Sequence, residues 1–254
     1  MSLSLSMSKL VLDWPPLATP PALTATAVHV WAWPLDLPAE RIAALTTTLA
    51  TDERERASRF SLETLRDHFI AGRAGMRAML AGYLQAAPAE LEFTYTARGK
   101  PLLAGNAGGR LYFNLAHSHG LALLAVTRVA ALGVDVERVR PFPNALGIAE
   151  RFFSAGEIAA FRTLPTDERD AAFFRLWTRK EAWLKATGDG IAESLSKIEV
   201  AFLPDEPPGL RGIAGDPNAG ESWSLCPLSP AEGFVGAVAI PARAVQLSCW
   251  RAEL

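Results

Sequence analysis

Cysteine is scarce in this chain of 254 residues: Cys226 and Cys249 are the only two. Without paired ligand spacing they exclude a disulfide framework and a cysteine zinc site, and they fit a reducing cytoplasm. An excess of one charge is missing too, since 25 Lys and Arg face 27 Asp and Glu for a formal net charge of -2. That balance offers no footing for nucleic acid or an anionic membrane, so any anion site has to be local. No apolar run reaches the roughly 18 residues of a membrane helix, and the opening "MSLSLSMSKLVLDWPPLATPPALTA" lacks a basic segment followed by an unbroken apolar core. Neither export nor membrane insertion is expected. Apolar residues, by contrast, make up half of the chain, enough for a substantial core in one large domain or in two of about 125 residues each.

Residues 1–24, rich in Ser, Pro and Ala, read as a flexible lead-in, and "AVHVWAWPL" then alternates like a strand. Helical spacing follows over 38–60 and over 62–85, where Leu65, Phe69, Met76, Leu80 and Leu84 share a face. Strands are predicted at "LEFTYTARGKPLL", "LYFNLAHS", "LALLAVTR" and "ALGVDVERV". Helices return at "NALGIAERFF" and "SAGEIAAFRTL", the latter with Ser154 as N-cap and Glu157 three residues on. A longer helix carries "FFRLWTRKEAWLKATGDG", its end marked by Gly188. Short strands close the chain at "KIEVAFL", "SWSLCPL", "GFVGAVAI" and "VQLSCW". The pattern predicts an α+β protein of two similar-sized lobes, 25–129 and 130–254.

In "LGVDVERV" the strand period puts Leu132, Val134 and Val136 on one face and Asp135 and Glu137 on the other, about 7 Å apart. Read alone, the two acids form either a solvated face or a site for a hard cation such as Mg²⁺, which takes carboxylates together with substrate phosphates. Glu181 is the candidate third acid, with Lys185 four residues on; the bland alternative is a surface Glu–Lys pair. Lys180 falls amid Phe173, Leu176, Trp177, Trp183 and Leu184, where a cation costs free energy unless it snorkels or meets an anion. Together Lys180, Glu181 and Lys185 read as a cluster for a metal-bound polyphosphate. Arg54, Arg56, Arg73, Arg77, Arg98 and Lys100 add basic groups upstream, and Asn114, His117, Ser118 and His119 crowd one strand end.

The ordered set "ARGKP", "FNLAHS", "GVDVE", "RFFSAGE" and "WTRKEAWLKATGDG" resembles the Sfp-type 4'-phosphopantetheinyl transferases, from about Arg54 to Ile191. The resemblance implies two pseudo-symmetric α+β lobes with the active site in the cleft between them, in a cytoplasmic monomer. It implies Mg-dependent transfer of the phosphopantetheine arm of coenzyme A to a serine hydroxyl of an apo acyl or peptidyl carrier protein, releasing adenosine 3',5'-bisphosphate. Carried over by position, Asp135, Glu137 and Glu181 are the ligands of Mg²⁺ (or Mn²⁺), and Glu181 is also the base. Lys185 supports the pyrophosphate and leaving phosphate, and Lys180 meets phosphate oxygens. Arg56 and His117, with Arg73, hold the 3'-phosphate of coenzyme A, and Lys100 lies near the nucleotide. Ala116 stands where many members have serine, and Glu53 where some carry a basic residue; both changes would weaken the 3'-phosphate pocket. Two other readings use the same residues: a different Mg-dependent nucleotide transferase or pyrophosphohydrolase, and a non-catalytic coenzyme A or carrier-protein binding module. The intact acid and lysine set speaks against the last, because binding alone needs no base.

Overall fold

A computed structural model describes residues 12–188, 195–214, 216 and 218–254. After β1 (Pro16–Leu17) and β2 (Ala27–Pro34) come three helices, α1 (Ala39–Thr46), α2 (Thr51–Ser58) and α3 (Glu63–Leu84). The helix predicted over 38–60 is thus two. Thr46, Thr47 and Thr48 turn their hydroxyls onto the carbonyls of Ile42, Ala44 and Leu45, which ends α1. The short hairpin β3 (Phe93–Tyr95) and β4 (Pro101–Leu103) precedes β5 (Tyr112–Ser118), β6 (Leu121–Thr127) and β7 (Gly133–Arg138). Next are α4 (Ala145–Phe152), α5 (Ala155–Thr163) and α6 (Thr166–Thr187), then β8 (Ile198–Val200), β9 (Leu210–Ile213), β10 (Ser224–Leu228), β11 (Phe234–Ile240) and β12 (Gln246–Ala252). The Ser154 N-cap of α5 forms as read, with the Glu157 amide donating to Ser154 Oγ and the Ser154 amide donating to Glu157 Oε2. Gly188 ends α6 in the left-handed region at φ 80°, where a glycine is unstrained. Asp189 to Ile191 of that predicted turn lie outside the described residues.

Two main sheets result, in the orders β1-β12-β2-β6-β5 and β10-β11-β7. Alternation along β2 sends Trp31 and Trp33 towards Met76 and Leu80 of α3, and Val28, Val30 and Ala32 the other way. There they meet Val134, Val136, Val238 and Ile240 of the second sheet. The second sheet's far face, with Ala237 and Ala239, packs on Leu176, Ala182 and Leu184 of α6. The order is helix, sheet, sheet, helix, an α+β arrangement in which each buried Leu, Val or Phe contributes about 1.5–3 kcal/mol.

Two expectations need correction. The chain's last strand does not stay with its own half: β12 runs parallel to β2, Gln246 opposite Ala27 and Arg251 opposite Ala32, so it belongs to the first sheet. Nor are residues 12–24 a loose lead-in, since Leu12 is buried, Leu17 and Leu23 pack on the first core, and Pro16–Leu17 pairs with Arg251 and Ala252. The rest of that segment, 1–11, lies outside the described residues. Among the described residues, no helix is long and apolar enough to cross a membrane.

Candidate active site

Close approach of β7 and α6 builds the site. A Cβ on Gly133 would lie 2.0 Å from the Ala182 carbonyl oxygen and 2.8 Å from Lys185 Cβ, so only glycine lets the strand sit this tightly against the helix. Asn114 of β5 holds the strand from its other edge, its Oδ1 accepting from the Val134 amide at 2.8 Å. Asn114, read from sequence as one of the polar groups at the strand end, is therefore buried structural support.

On the α6 side of β7, the Lys185 ammonium donates to Asp135 Oδ1 at 2.6 Å and to the Val134 carbonyl at 3.2 Å. Glu137 Oε2 accepts from Ser118 Oγ at 2.7 Å and lies 3.6 Å from Arg140. Among the described residues, Asp135 Oδ2 and Glu181 Oε1 are buried with no hydrogen-bond partner. Burial holds the Asp135 carboxyl above the usual range, against the pull of Lys185. Burial, then Asp135 and Glu137, push Glu181 up to about 7, opposed by Lys185. The acids thus sense one another, and an added cation would relieve both their repulsion and their two orphaned oxygens. Among the described residues no three His, Cys, Asp or Glu side chains stand as a ready metal cage; Lys185 takes up one Asp135 oxygen instead.

Beside these groups opens a cleft of about 430 Å³ lined by Arg98, Gly99, Lys100, Asn114, Glu181 and Lys185, among others. Lys100 donates to the carbonyls of Lys185 at 2.5 Å and Leu132 at 2.9 Å, tying the "ARGKP" turn to the negative end of α6. Burial, then the Lys185 charge, brings Lys100 down to about 8. His117 lies at the exposed end of β5, its basicity lowered by partial desolvation and then by the charges of Lys185 and His68.

The basic groups upstream divide. Exposed Arg56 lies over the Phe69 ring at 5.3 Å, and Arg73 lies 5.9 Å from the same ring while donating to the Tyr95 hydroxyl at 2.8 Å. Phe69 and Tyr95 are platforms absent from the sequence-based set: Phe69 stands one turn before Arg73 on α3 and beneath Arg56 of α2, and Tyr95 reaches Arg73 from the β3–β4 hairpin. Glu53 reaches this group only at Arg73. It is buried, accepts from Arg77 at 2.6 Å and from the Ala50 amide at 3.1 Å, and its other oxygen lies 3.8 Å from Arg73 without forming a hydrogen bond. Arg77 is correspondingly enclosed and donates to the carbonyls of Pro88 and Leu91. Ala116 is buried in the core between the sheets, where its methyl group is apolar packing.

Lys180 is the clear departure from the sequence expectation. Its side chain is 0% exposed, and the ammonium binds Glu157 Oε2 at 2.7 Å and the carbonyls of Leu195 and Ile198 at 2.6 Å each. Its ammonium is therefore enclosed in the core rather than turned to the cleft, contrary to the phosphate contact expected of it. The helical wheel placed it correctly among core residues; the anion it meets is a second buried side chain, from α5.

Comparison with known proteins agrees along most of the chain. Residues 131–239 match the 4'-phosphopantetheinyl transferase superfamily, and residues 37–129 match the family described as 4'-phosphopantetheinyl transferase, N-terminal. The chain is 42% identical over 237 residues to the 4'-phosphopantetheinyl transferase HetI of Nostoc sp., covering 92% of this chain and 97% of that one. A phosphopantetheinyl transferase of Thraustochytrium sp. is 33% identical over 203 residues, 75% of this chain and 69% of its own. The 4'-phosphopantetheinyl transferase psf-1 of Bacillus pumilus is 31% identical over 172 residues, 68% and 72% of the two chains. Similarity that runs through both halves and nearly the whole of the Nostoc relative establishes that this chain belongs to the 4'-phosphopantetheinyl transferase superfamily.

Proposed function

We propose that the protein moves the 4'-phosphopantetheine arm of coenzyme A onto a serine hydroxyl of an apo acyl or peptidyl carrier protein, and that Asp135, Glu137, Glu181 and Lys185 form its reacting centre. The serine oxygen attacks the β-phosphorus of coenzyme A as the bond to the bridging pyrophosphate oxygen breaks. Adenosine 3',5'-bisphosphate leaves, and the serine proton passes to Glu181. One observation carries the assignment: among the described residues, two buried carboxylate oxygens, Asp135 Oδ2 and Glu181 Oε1, lack partners beside a lysine already bonded to Asp135. Such a set is poised for a cation and a proton rather than for its own stability.

Both orphaned oxygens are hard donors, so the residues fit Mg²⁺ or Mn²⁺, held by Asp135, Glu137 and Glu181. When bound, the ion supplies charge neutralisation for the pyrophosphate oxygens. Ser118 orients Glu137 through its hydroxyl. Lys185, in reach of the cleft, neutralises charge growing on the leaving phosphate. Lys100 lies along the nucleotide, and Arg56, Arg73 and His117 hold the 3'-phosphate. The reading includes a cytoplasmic monomer built of two related halves.

Glu181→Gln tests it, keeping shape while removing charge and basicity. Coenzyme A affinity should persist, and single-turnover transfer at saturating substrates should fall at least about 10²-fold, the low end for a general base. A rate within a few-fold of wild type would remove Glu181 from the mechanism.

A further inference from the structure

Lys180 and Glu157 form a complete buried network. All three ammonium protons have acceptors: Glu157 Oε2 and the carbonyls of Leu195 and Ile198. Glu157 in turn accepts from the Ser154 amide at 3.0 Å and, through Oε1, from the Val200 amide at 2.9 Å. The Phe153 ring lies 5.3 Å from the ammonium. One side-chain pair thereby joins the N-terminus of α5, the middle of α6, the short 3-10 turn Leu195–Lys197 and β8.

Stability alone does not account for this choice. A well-packed apolar pair of similar volume is often as stable as a buried ion pair or more so, because two charges must be stripped of water. What the ion pair adds is direction: three bonds from one ammonium fix the angle at which α6 lies. Neighbouring helix residues point 100° apart, so holding Lys180 on the α5 side keeps Glu181 turned towards β7 and, one turn on, Lys185 against Asp135.

We propose that Lys180 is a positioning residue: its bonds to Glu157 and to the Leu195 and Ile198 carbonyls set the rotation of α6 that presents Glu181 and Lys185 to Asp135. Its catalytic consequence rests on the transferase reading above; its structural content does not.

Lys180→Met alone would strand the Glu157 charge in the core and risks unfolding the protein. The test is therefore the double variant Lys180→Met/Glu157→Gln, which removes both charges, compared with wild type in three measurements. These are amide hydrogen exchange over 181–187, coenzyme A affinity by calorimetry, and single-turnover transfer to an apo carrier protein. The folded double variant should lose exchange protection over 181–187, keep its coenzyme A affinity, and transfer about 10²-fold more slowly, the scale of a misplacement of about 1 Å. Wild-type protection and rate would overturn the proposal, reducing the pair to packing. Weakened coenzyme A binding with unchanged protection would also overturn it, in favour of a direct phosphate contact. If wild type itself modifies no carrier, the transferase reading fails, while the exchange comparison still decides whether Lys180 sets α6.

Discussion

Cations around the cleft are already engaged in different degrees, and this sets what each can do for an anion. Lys185 bonds Asp135, Lys100 bonds two carbonyls, and Arg73 bonds Tyr95, whereas Arg56 is exposed with one guanidinium face on Phe69. Among the described residues Arg56 forms no ion pair, so it can turn towards a phosphate without breaking one. Arg56→Ala should weaken coenzyme A by about 1.5–3 kcal/mol, the size of a charge-assisted hydrogen bond, and dephospho-coenzyme A far less. Equal losses in calorimetry would take Arg56 away from the 3'-phosphate. At this scale the acids of β7 were legible, because strand alternation alone puts Asp135 and Glu137 on one face. The role of Lys180 was not, because a helical wheel gives a side chain's angle and not its partner. Glu157 had a sufficient local explanation as the second half of a capping box, which hid its second bond to a lysine on another helix.

Elements meet here through glycine rather than through long side chains. At Gly133 an added Cβ would also lie 2.6 Å from the Ala186 amide nitrogen, so all three nearest atoms belong to α6. Gly133→Ala must push the helix away from β7, and overpacking of this kind typically costs about 1–3 kcal/mol. Urea unfolding should show that loss, accompanied by slower transfer as Glu181 and Lys185 withdraw from Asp135. A variant with the wild-type midpoint and rate would mean that the strand and helix do not rely on this contact. Helix and strand positions were mostly readable from period and caps, including the Ser154 cap and the Gly188 stop. The break between α1 and α2 was not, because three threonine hydroxyls bonding backwards leave the apolar spacing unchanged.

The whole molecule is closed by its last strand, and here local sequence carried least. The segment "VQLSCW" reads as a strand, but nothing in its own pattern names β2, at the other end of the chain, as its parallel neighbour. An aromatic cluster, half-buried at Trp250 and Tyr83 and buried at His29 and Trp31, secures that closure: the Trp250 ring of β12 stands edge-on to His29 at 4.8 Å, and the Tyr83 hydroxyl of α3 shares a hydrogen bond of 2.7 Å with His29 Nδ1 while accepting from Trp31. Burial lowers the His29 pKa, so the folded state keeps this ring neutral while the unfolded chain protonates below about pH 6.5. The stability it contributes is present above that pH and is lost as pH falls towards the lower folded value. His29→Gln should flatten the dependence of the urea midpoint on pH between about 6.5 and 5 relative to wild type; an identical slope would remove His29 from the closure. One reaction is assigned to the β7–α6 acids. Its most direct test is the intact mass of a panel of apo carrier proteins incubated with coenzyme A, Mg²⁺ and either wild type or a folded Asp135→Ala variant, each with and without excess EDTA. The predicted result is a gain of one phosphopantetheine arm on at least one carrier with wild type and Mg²⁺ only; no gain on any carrier, or the same gain with Asp135→Ala or in EDTA, would contradict it.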